Sequence, residues 1–142
     1  MFSKSCKYAI RSILFLAIYT SEDHKIGVDD LAAKLDVPKH FLAKILQQLT
    51  RFKLISSVKG RNGGFFLTEE NKNSNLLAVI ESMDGPRAFR ECVLGMTECS
   101  NENPCPYHTA VRRYRDQFLI LVKEETIRES AERIILNNLK IR

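Results

Sequence analysis

The sequence predicts a mainly α-helical fold with one small β-hairpin and a long carboxy-terminal helix. Apolar residues recur at helical spacing, two short strand-like runs flank a loop rich in Gly and Asn, and an apolar stripe returns after residue 109. The chain has 142 residues and 44% apolar content, which is enough for one core. We therefore expect one domain with a helical extension rather than two domains.

Charge and composition narrow the class of protein. The formal charge of +5 points to an anionic partner. No run approaches the roughly 18 apolar residues of a membrane span, and no apolar leader precedes a small-residue cleavage site. We expect a cytoplasmic protein without membrane contact. In that reducing compartment the four cysteines favour metal or redox chemistry over structural disulfides.

The first two elements are amphipathic helices. The first begins near Ser3 or Ser5, and its apolar residues recur at three- and four-residue intervals, at Ile10, Ile13, Leu14, Ala17 and Ile18. After a polar loop through Gly27, the second helix carries Val28, Leu31, Ala32 and Leu35 on one face. Asp29 and Asp30 lie near its positive amino-terminal end, where acidic groups are favourable.

A third helix follows almost at once. Pro38 suits its first position, because the missing N–H would have no partner there. Its expected buried face consists of Phe41, Leu42, Ile45, Leu46 and Leu49. Two helices joined by so tight a turn predict a helix-turn-helix.

Strand-like runs at residues 54–58 and 65–68 flank the Gly-rich loop and predict a hairpin wing. Ser74 or Asn75 can then cap a helix that runs through Met83 and ends at Gly85. Residues 1–85 thus form a winged helix-turn-helix domain by this interpretation.

The remaining chain divides into a loop and a helix. Residues 86–108 lack any sustained period, so we expect a cysteine-rich cofactor-binding loop. Residues 109–142 form a long dimerisation helix and a tail of weaker helical pattern that can fray. The helix carries an apolar stripe that suits a homodimer seam, at Val111, Tyr114, Phe118, Leu121 and Val122.

The basic residues concentrate on the predicted reading helix and wing. Residues 37–64 contain six lysines and arginines and no acidic residue. Such cations neutralise DNA phosphates, and a second helix in the major groove supplies base contacts. The candidate DNA contacts are Lys39, His40, Lys44, Gln47, Lys59, Arg61, Asn62 and Gly63. A solvated basic face is the alternative, and Gly63 can also serve the hairpin turn alone.

Three cysteines and one histidine lie within seventeen positions, at Cys92, Cys99, Cys105 and His108. Thiolates and imidazole suit zinc, copper(I) and iron-sulfur clusters. Structural zinc sites usually pair ligands two to four residues apart, whereas the cysteine gaps here are six and five. The spacing therefore favours an iron-sulfur cluster, with unpaired buried thiols as the alternative. The sequence contains no nucleophile elbow, phosphate-binding loop or Glu-bearing metal-binding helix, so no motif of this kind predicts an enzyme.

Four segments together resemble the Rrf-type winged-helix transcriptional regulators, the family of the iron-sulfur regulator IscR and the nitric-oxide sensor NsrR. They are residues 5–11, 37–49, 57–65 and the three spaced cysteines. The resemblance covers roughly residues 1–130 and implies a homodimer on a palindromic operator. It places the third helix in the major groove and the wing at the minor groove, and it implies a cluster state that tunes DNA affinity.

The resemblance also implies the ligands. The three cysteines would be the thiolate ligands and His108 the fourth, with a 2Fe-2S cluster favoured and a 4Fe-4S cluster allowed. Cys6 is the other candidate for the fourth ligand, although a small buried core residue is the simpler reading. The sequence departs from the family pattern at the first cysteine gap, which is one residue longer than in IscR, and at Ala43, where IscR has a glutamate.

The function that the sequence predicts is thus that of a DNA-binding transcriptional regulator, expected to act as a repressor. Its operator affinity responds to a redox, iron or nitric-oxide signal through its cluster. The alternative is a winged-helix DNA-binding protein with a metal-free thiol switch or a stabilising zinc ion.

Overall fold

A computed structural model describes residues 1–142 as seven helices and one two-stranded antiparallel sheet. The mainly α-helical fold with a hairpin wing is confirmed. In chain order the elements are α1 (Lys4–Tyr19), α2 (Val28–Leu35), α3 (Lys39–Arg51), β1 (Ser56–Val58), β2 (Gly64–Phe66), α4 (Glu69–Lys72), α5 (Leu76–Asp84), α6 (His108–Glu124) and α7 (Ile127–Leu136). None of these helices is both long enough and apolar enough to cross a membrane.

Helix α1 lies at the centre of the core. The side chain of Ser3 caps it by accepting from the Cys6 amide. Helices α3, α5 and α7 all pack against it. Of the predicted apolar face, Ile13 and Ala17 are buried, and the other three residues are half-buried. Because the helix is covered on several sides, Phe15 and Leu16 are buried as well.

The turn between α2 and α3 is short and left-handed at one residue. Asp36 closes α2 with φ 53° and ψ 52°, a conformation that aspartate tolerates better than most residues. Four of the five residues on the predicted buried face of α3 are buried as expected. Phe41 is the exception. It lies at the rim of the core, where its ring packs edge-to-face on Tyr8 and remains 37% exposed.

The wing is shorter than predicted, because residues on either side of it turn into the core. Leu54 and Ile55 precede β1, Leu67 follows β2, and all three are nearly fully buried. The two strands pair in antiparallel register from Ser56 opposite Phe66 to Val58 opposite Gly64. An isolated bridge joins Ile26 to Phe65 and so fastens the wing to the loop before α2.

Two glycines are required by this wing. A Cβ atom on Gly63 would lie 2.0 Å from the carbonyl oxygen of Val58, and one on Gly64 would lie 2.7 Å from that of Ile26. Gly64 also has φ +147°, which side chains rarely adopt. The hairpin therefore explains both glycines whether or not either contacts DNA.

The segment after the wing contains one helix that the sequence did not predict. Thr68 and Asn71 form a capping box that starts the four-residue helix α4. The next helix, α5, is capped by Asn75 and ends at Gly85, as predicted.

The carboxy-terminal segment belongs to the winged-helix body more closely than its sequence suggests. Helix α6 begins at His108, one residue earlier than predicted. The chain then turns, and α7 packs along α1 with Ile127 and Ala131 in the main core. Rather than a fraying tail, residues 127–136 form a helix that helps to bury α1.

One member of the predicted seam on α6 is buried in the core of its own chain instead of being exposed to a partner. Val122 is only 3% exposed, because it packs with Cys6 and Ile80 inside the same chain. The Phe118 ring contacts Phe2 and Phe89 and is half-buried. The large apolar side chains that α6 leaves to solvent are Tyr114, Ile120 and Leu121.

Candidate nucleic-acid interface and metal site

The exposed side of α3 carries four of the candidate DNA contacts. His40, Lys44 and Gln47 follow one another at helical spacing, and all are exposed. Lys39 is exposed as well, but its ammonium group pairs with Asp29 at 2.6 Å. Surface pairs of this kind contribute little, so the lysine remains available to a phosphate.

The wing residues Lys59, Arg61 and Asn62 are exposed at the tip of the hairpin, whereas Gly63 is half-buried at its base. The fold thus presents a helix and a hairpin tip that both carry exposed cations, of which only Lys39 is paired with an acid, a suitable surface for duplex DNA.

The structure extends this surface in a way that sequence reasoning missed. The amino-terminal turns of α1 lie beside the start of α3, where Lys4 and Tyr8 join His40, Phe41 and Lys44 around a groove of about 380 Å³. The Arg11 guanidinium stacks over the Tyr8 ring at 4.8 Å. The spacing of the α1 cations was visible in the sequence, but their position beside α3 depends on tertiary packing.

The loop between α5 and α6 brings the three predicted cysteine ligands together. The sulfur atoms of Cys92, Cys99 and Cys105 all lie within 4.8 Å of one another. The Cys92 and Cys105 sulfurs are 3.7 Å apart. No disulfide joins any of the cysteines. The loop thus holds three soft donors around one point, as a thiolate-bound metal requires.

His108 adds an imidazole to the same cluster. Its Nδ1 lies 3.2 Å from the Cys99 sulfur, and its Nε2 lies 3.0 Å from the side-chain oxygen of Asn101. Arg112 donates to that same oxygen. Asn101 therefore orients the ring with Nδ1 toward the sulfurs, the kind of outer contact that commonly fixes a histidine ligand.

Backbone amides prepare one of the thiols for ligation. Hydrogen bonds from the amides of Met96 and Leu94 lower the pKa of Cys92 to about 7. The Cys105 amide donates to the Cys99 sulfur and works in the same direction, but burial and the neighbouring thiols leave the pKa of Cys99 raised. Metals bind the thiolate form of cysteine, so the lower pKa makes Cys92 better prepared for ligation than Cys99 at neutral pH.

Cys6 lies outside this group. It is fully buried, in an apolar cluster with Ile80 and Val122. That burial, together with the charge of Asp84, raises the pKa of Cys6 to about 12. A thiol so hard to ionise makes a poor ligand, whereas the His108 ring lies beside Cys99.

Comparison with known proteins identifies the family of this chain. Residues 2–133 match the family called Rrf2, which is described as an iron-dependent transcriptional regulator. The chain belongs to the Rrf2 family. Several relatives are named NsrR. One of them, a regulator from Geobacillus kaustophilus, is 28% identical over 127 residues, covering 89% of this chain and 86% of the relative. A repressor from Streptomyces coelicolor is 25% identical over 113 residues, covering 80% and 72%.

Solved structures show that the Rrf2 fold extends to more distant sequences. The global cysteine regulator CymR of B. subtilis superposes with a TM-score of 0.73 at 19% identity, over 93% of this chain and 96% of that protein. IscR of T. potens gives 0.66 at 16% identity, over 93% and 86%. The winged-helix regulator fold predicted from the sequence is confirmed.

Proposed function

We propose that this Rrf2-family regulator binds a palindromic operator as a homodimer in the cytoplasm and that an iron-sulfur cluster on Cys92, Cys99, Cys105 and His108 sets its affinity for that operator. The observation that carries the proposal is the convergence of three sulfurs within 4.8 Å, with an imidazole nitrogen beside them. The description of the family as iron-dependent supports iron over other soft metals.

The DNA part of the proposal rests on the charge and exposure of α3 and the wing. On α3, the exposed residues Lys39, His40, Lys44 and Gln47 can lie in a major groove. The exposed hairpin tip with Lys59, Arg61 and Asn62 can reach an adjacent groove or phosphate, and Gly63 keeps its backbone in shape. No catalytic step is assigned to the protein.

The dimer part rests on the apolar side chains that α6 leaves uncovered. Tyr114, Ile120 and Leu121 are each about half exposed or more. Tyr114 and Leu121 are seven residues apart and so share one face of the helix, which a second copy can cover through a twofold interface. A dimer of this kind would present two α3 helices to the two halves of a palindrome.

The residues present fit an iron-sulfur cluster. All four donors are nitrogen or sulfur, and the ligand set thus lacks the carboxylates that a hard cation prefers. Three thiolates with one imidazole are compatible with a 2Fe-2S centre, which we favour, and three thiolates alone leave one iron of a 4Fe-4S centre open to a further ligand. A bound cluster would supply redox and ligand-exchange chemistry sensitive to oxidants, iron supply or nitric oxide.

What the chain itself contributes is order. The cysteine loop has no regular structure between the end of α5 and the start of α6, so its conformation depends on what links its sulfurs together. It lies directly before the helix proposed for the dimer seam. Ligation would therefore bias the position of α6 and, through it, the spacing of the two reading helices.

A second candidate function also has an observation in its favour. The Cys92 and Cys105 sulfurs are 3.7 Å apart, and a disulfide needs about 2.0 Å. A small loop movement would allow an oxidant to join them, giving a thiol switch without metal. Zinc bound by the same four residues would be a purely stabilising alternative.

Anaerobic purification distinguishes these candidates. The wild-type protein, reconstituted with iron and sulfide, should show visible absorption and contain both elements, and Cys99→Ser should lose them. Cys6→Ser is the matched control: it removes the one cysteine outside the group and should keep the colour. A colourless wild-type protein with stoichiometric zinc, or one that gains only a disulfide on oxidation, would contradict the proposal.

A further inference from the structure

Arg115 is the one charged residue that the fold buries. It lies on α6, two turns after His108, and is 7% exposed. One guanidinium nitrogen donates to the backbone carbonyl of Glu91, the residue before Cys92. Its Nε is the only buried side-chain nitrogen or oxygen of the chain without a hydrogen-bond partner.

A buried guanidinium normally needs an anion. None of the five ion pairs of the protein includes Arg115, and a carbonyl oxygen satisfies a hydrogen bond but does not balance a charge. A buried charge without a counter-charge is destabilising, so an apolar residue of similar size at this position should cost the metal-free fold little. The hydrogen bond to Glu91 explains a donor at this position, but nothing in the metal-free chain explains the charge.

The cysteine loop supplies the missing reason. Arg115 and Cys92 line the same cavity, of about 170 Å³, whose other walls include Ala88, Val111 and Glu91. Glu91 is exposed and forms no ion pair with Arg115, so its carboxylate does not supply the counter-charge. We propose that Arg115 is a positioning residue of the cysteine site: its cation offsets the negative charge that the three thiolates bring when they hold a metal centre, and its bond to Glu91 fixes the start of the loop. The inference rests on the proposed metal-binding role of these cysteines.

The charge of Arg115 and the excess charge of a ligated site are opposite in sign and equal in size. A divalent ion with three thiolates and one neutral imidazole carries about one excess negative charge, and Arg115 carries one positive charge. Because Arg115 is only 7% exposed, attraction between these charges is screened less than it would be between two groups at the surface. Ligation would therefore turn an unpaired buried cation into a paired one, so metal binding and Arg115 stabilise each other.

The experiment measures the affinity for cobalt(II), whose thiolate absorption reports ligation directly, under anaerobic conditions in the full-length protein. Arg115→Met should weaken cobalt binding by about 10- to 100-fold, the usual effect of removing a residue that supports metal ligands. The same variant, without metal, should unfold at the same temperature as the metal-free wild-type protein or at a higher one. Arg115→Gln repeats the neutral substitution, and Arg115→Lys keeps the charge and should restore most of the affinity.

Arg113→Met is the matched control, because Arg113 lies on the same helix but is exposed. It should bind cobalt like the wild-type protein. Equal cobalt affinity in Arg115→Met and wild type would overturn the inference, and so would a loss of metal-free stability with affinity unchanged, which would mean a structural role only. A wild-type protein that shows no thiolate absorption with cobalt would reject the metal site itself, and with it both the cluster proposal and the role of Arg115.

Discussion

Leu121 offers a direct test of the dimer seam. Its side chain lies on α6 and is 48% exposed in the single chain. Full burial of a leucine is worth about 1.5–3 kcal/mol, so covering the remaining half contributes about 1 kcal/mol. A twofold interface contains the residue twice, and Leu121→Ala should therefore weaken the dimer by about 2 kcal/mol, or roughly 30-fold in dissociation constant.

Sedimentation velocity over a range of protein concentrations measures that constant. Val58→Ala is the matched control, because Val58 is also apolar and 48% exposed but lies on the wing, away from α6. It should leave the dimer unchanged. Phe118 is a poorer choice, since its contacts with Phe2 and Phe89 would unsettle the monomer. A monomeric wild-type protein, or equal constants for Leu121→Ala and wild type, would refute the reasoning.

Three further predictions concern DNA binding and stability. Lys44→Ala and Arg61→Ala should each weaken duplex binding and reduce the slope of log affinity against log salt by about one, measured by fluorescence anisotropy, while Lys140→Ala should not. Gly64→Ala should cost about 1–3 kcal/mol in urea unfolding, because its φ of +147° and the Ile26 carbonyl exclude a Cβ atom, whereas Gly27→Ala meets nothing and should cost little; equal losses would contradict this account. Burial raises the pKa of Cys6 from 9.0 to about 12. The unfolded chain therefore loses this proton at a lower pH than the folded protein does. The stability that the buried thiol contributes is complete below pH 9 and declines above it. The urea midpoint of the wild-type protein should thus fall further than that of Cys6→Ala between about pH 8 and about pH 10.5, and parallel profiles would contradict the burial of this thiol.

The parts of the fold that the sequence predicted well have strong local signals. The buried face of α3 follows a strict helical period, and Asn75 and Gly85 mark the two ends of α5. The hairpin follows from glycines that only a tight turn requires. In each case neighbouring residues contain the information, so no knowledge of distant contacts was needed.

The parts that were missed depend on contacts between distant segments. Val122 belongs to an apolar stripe by sequence, but α5 and α1 cover it through Ile80 and Cys6. Phe41 has the right period for burial, yet it lies at the rim of the core, where its ring packs on Tyr8 and stays 37% exposed. Helix α7 has too weak a pattern to suggest that it would pack along α1, because that packing is decided by the whole core.

The candidate metal site was predicted in part and missed in part. Residue type and number predicted the grouping of Cys92, Cys99, Cys105 and His108. The structure brings the three sulfurs within 4.8 Å of one another and places the His108 ring beside Cys99. The sequence left Cys6 open as a fourth ligand, and only its burial in the core makes it a poor one. Arg115 stands beside Arg112 and Arg113 and so looks like a surface residue by type. Its spacing of four from Val111 and three from Phe118 does place it on the apolar face of α6, and that signal was missed.

The most direct test of the central claim compares operator affinities of the cluster-loaded and cluster-free forms. Operators are selected from a random duplex library by each form in parallel, and anaerobic fluorescence anisotropy then gives the affinity of wild-type protein with cluster, wild-type protein without cluster, and Cys99→Ser. The account predicts that the first two differ by about 5- to 150-fold and that Cys99→Ser matches the cluster-free form. Equal affinity of all three folded, dimeric proteins for every selected operator would contradict a cluster that regulates DNA binding.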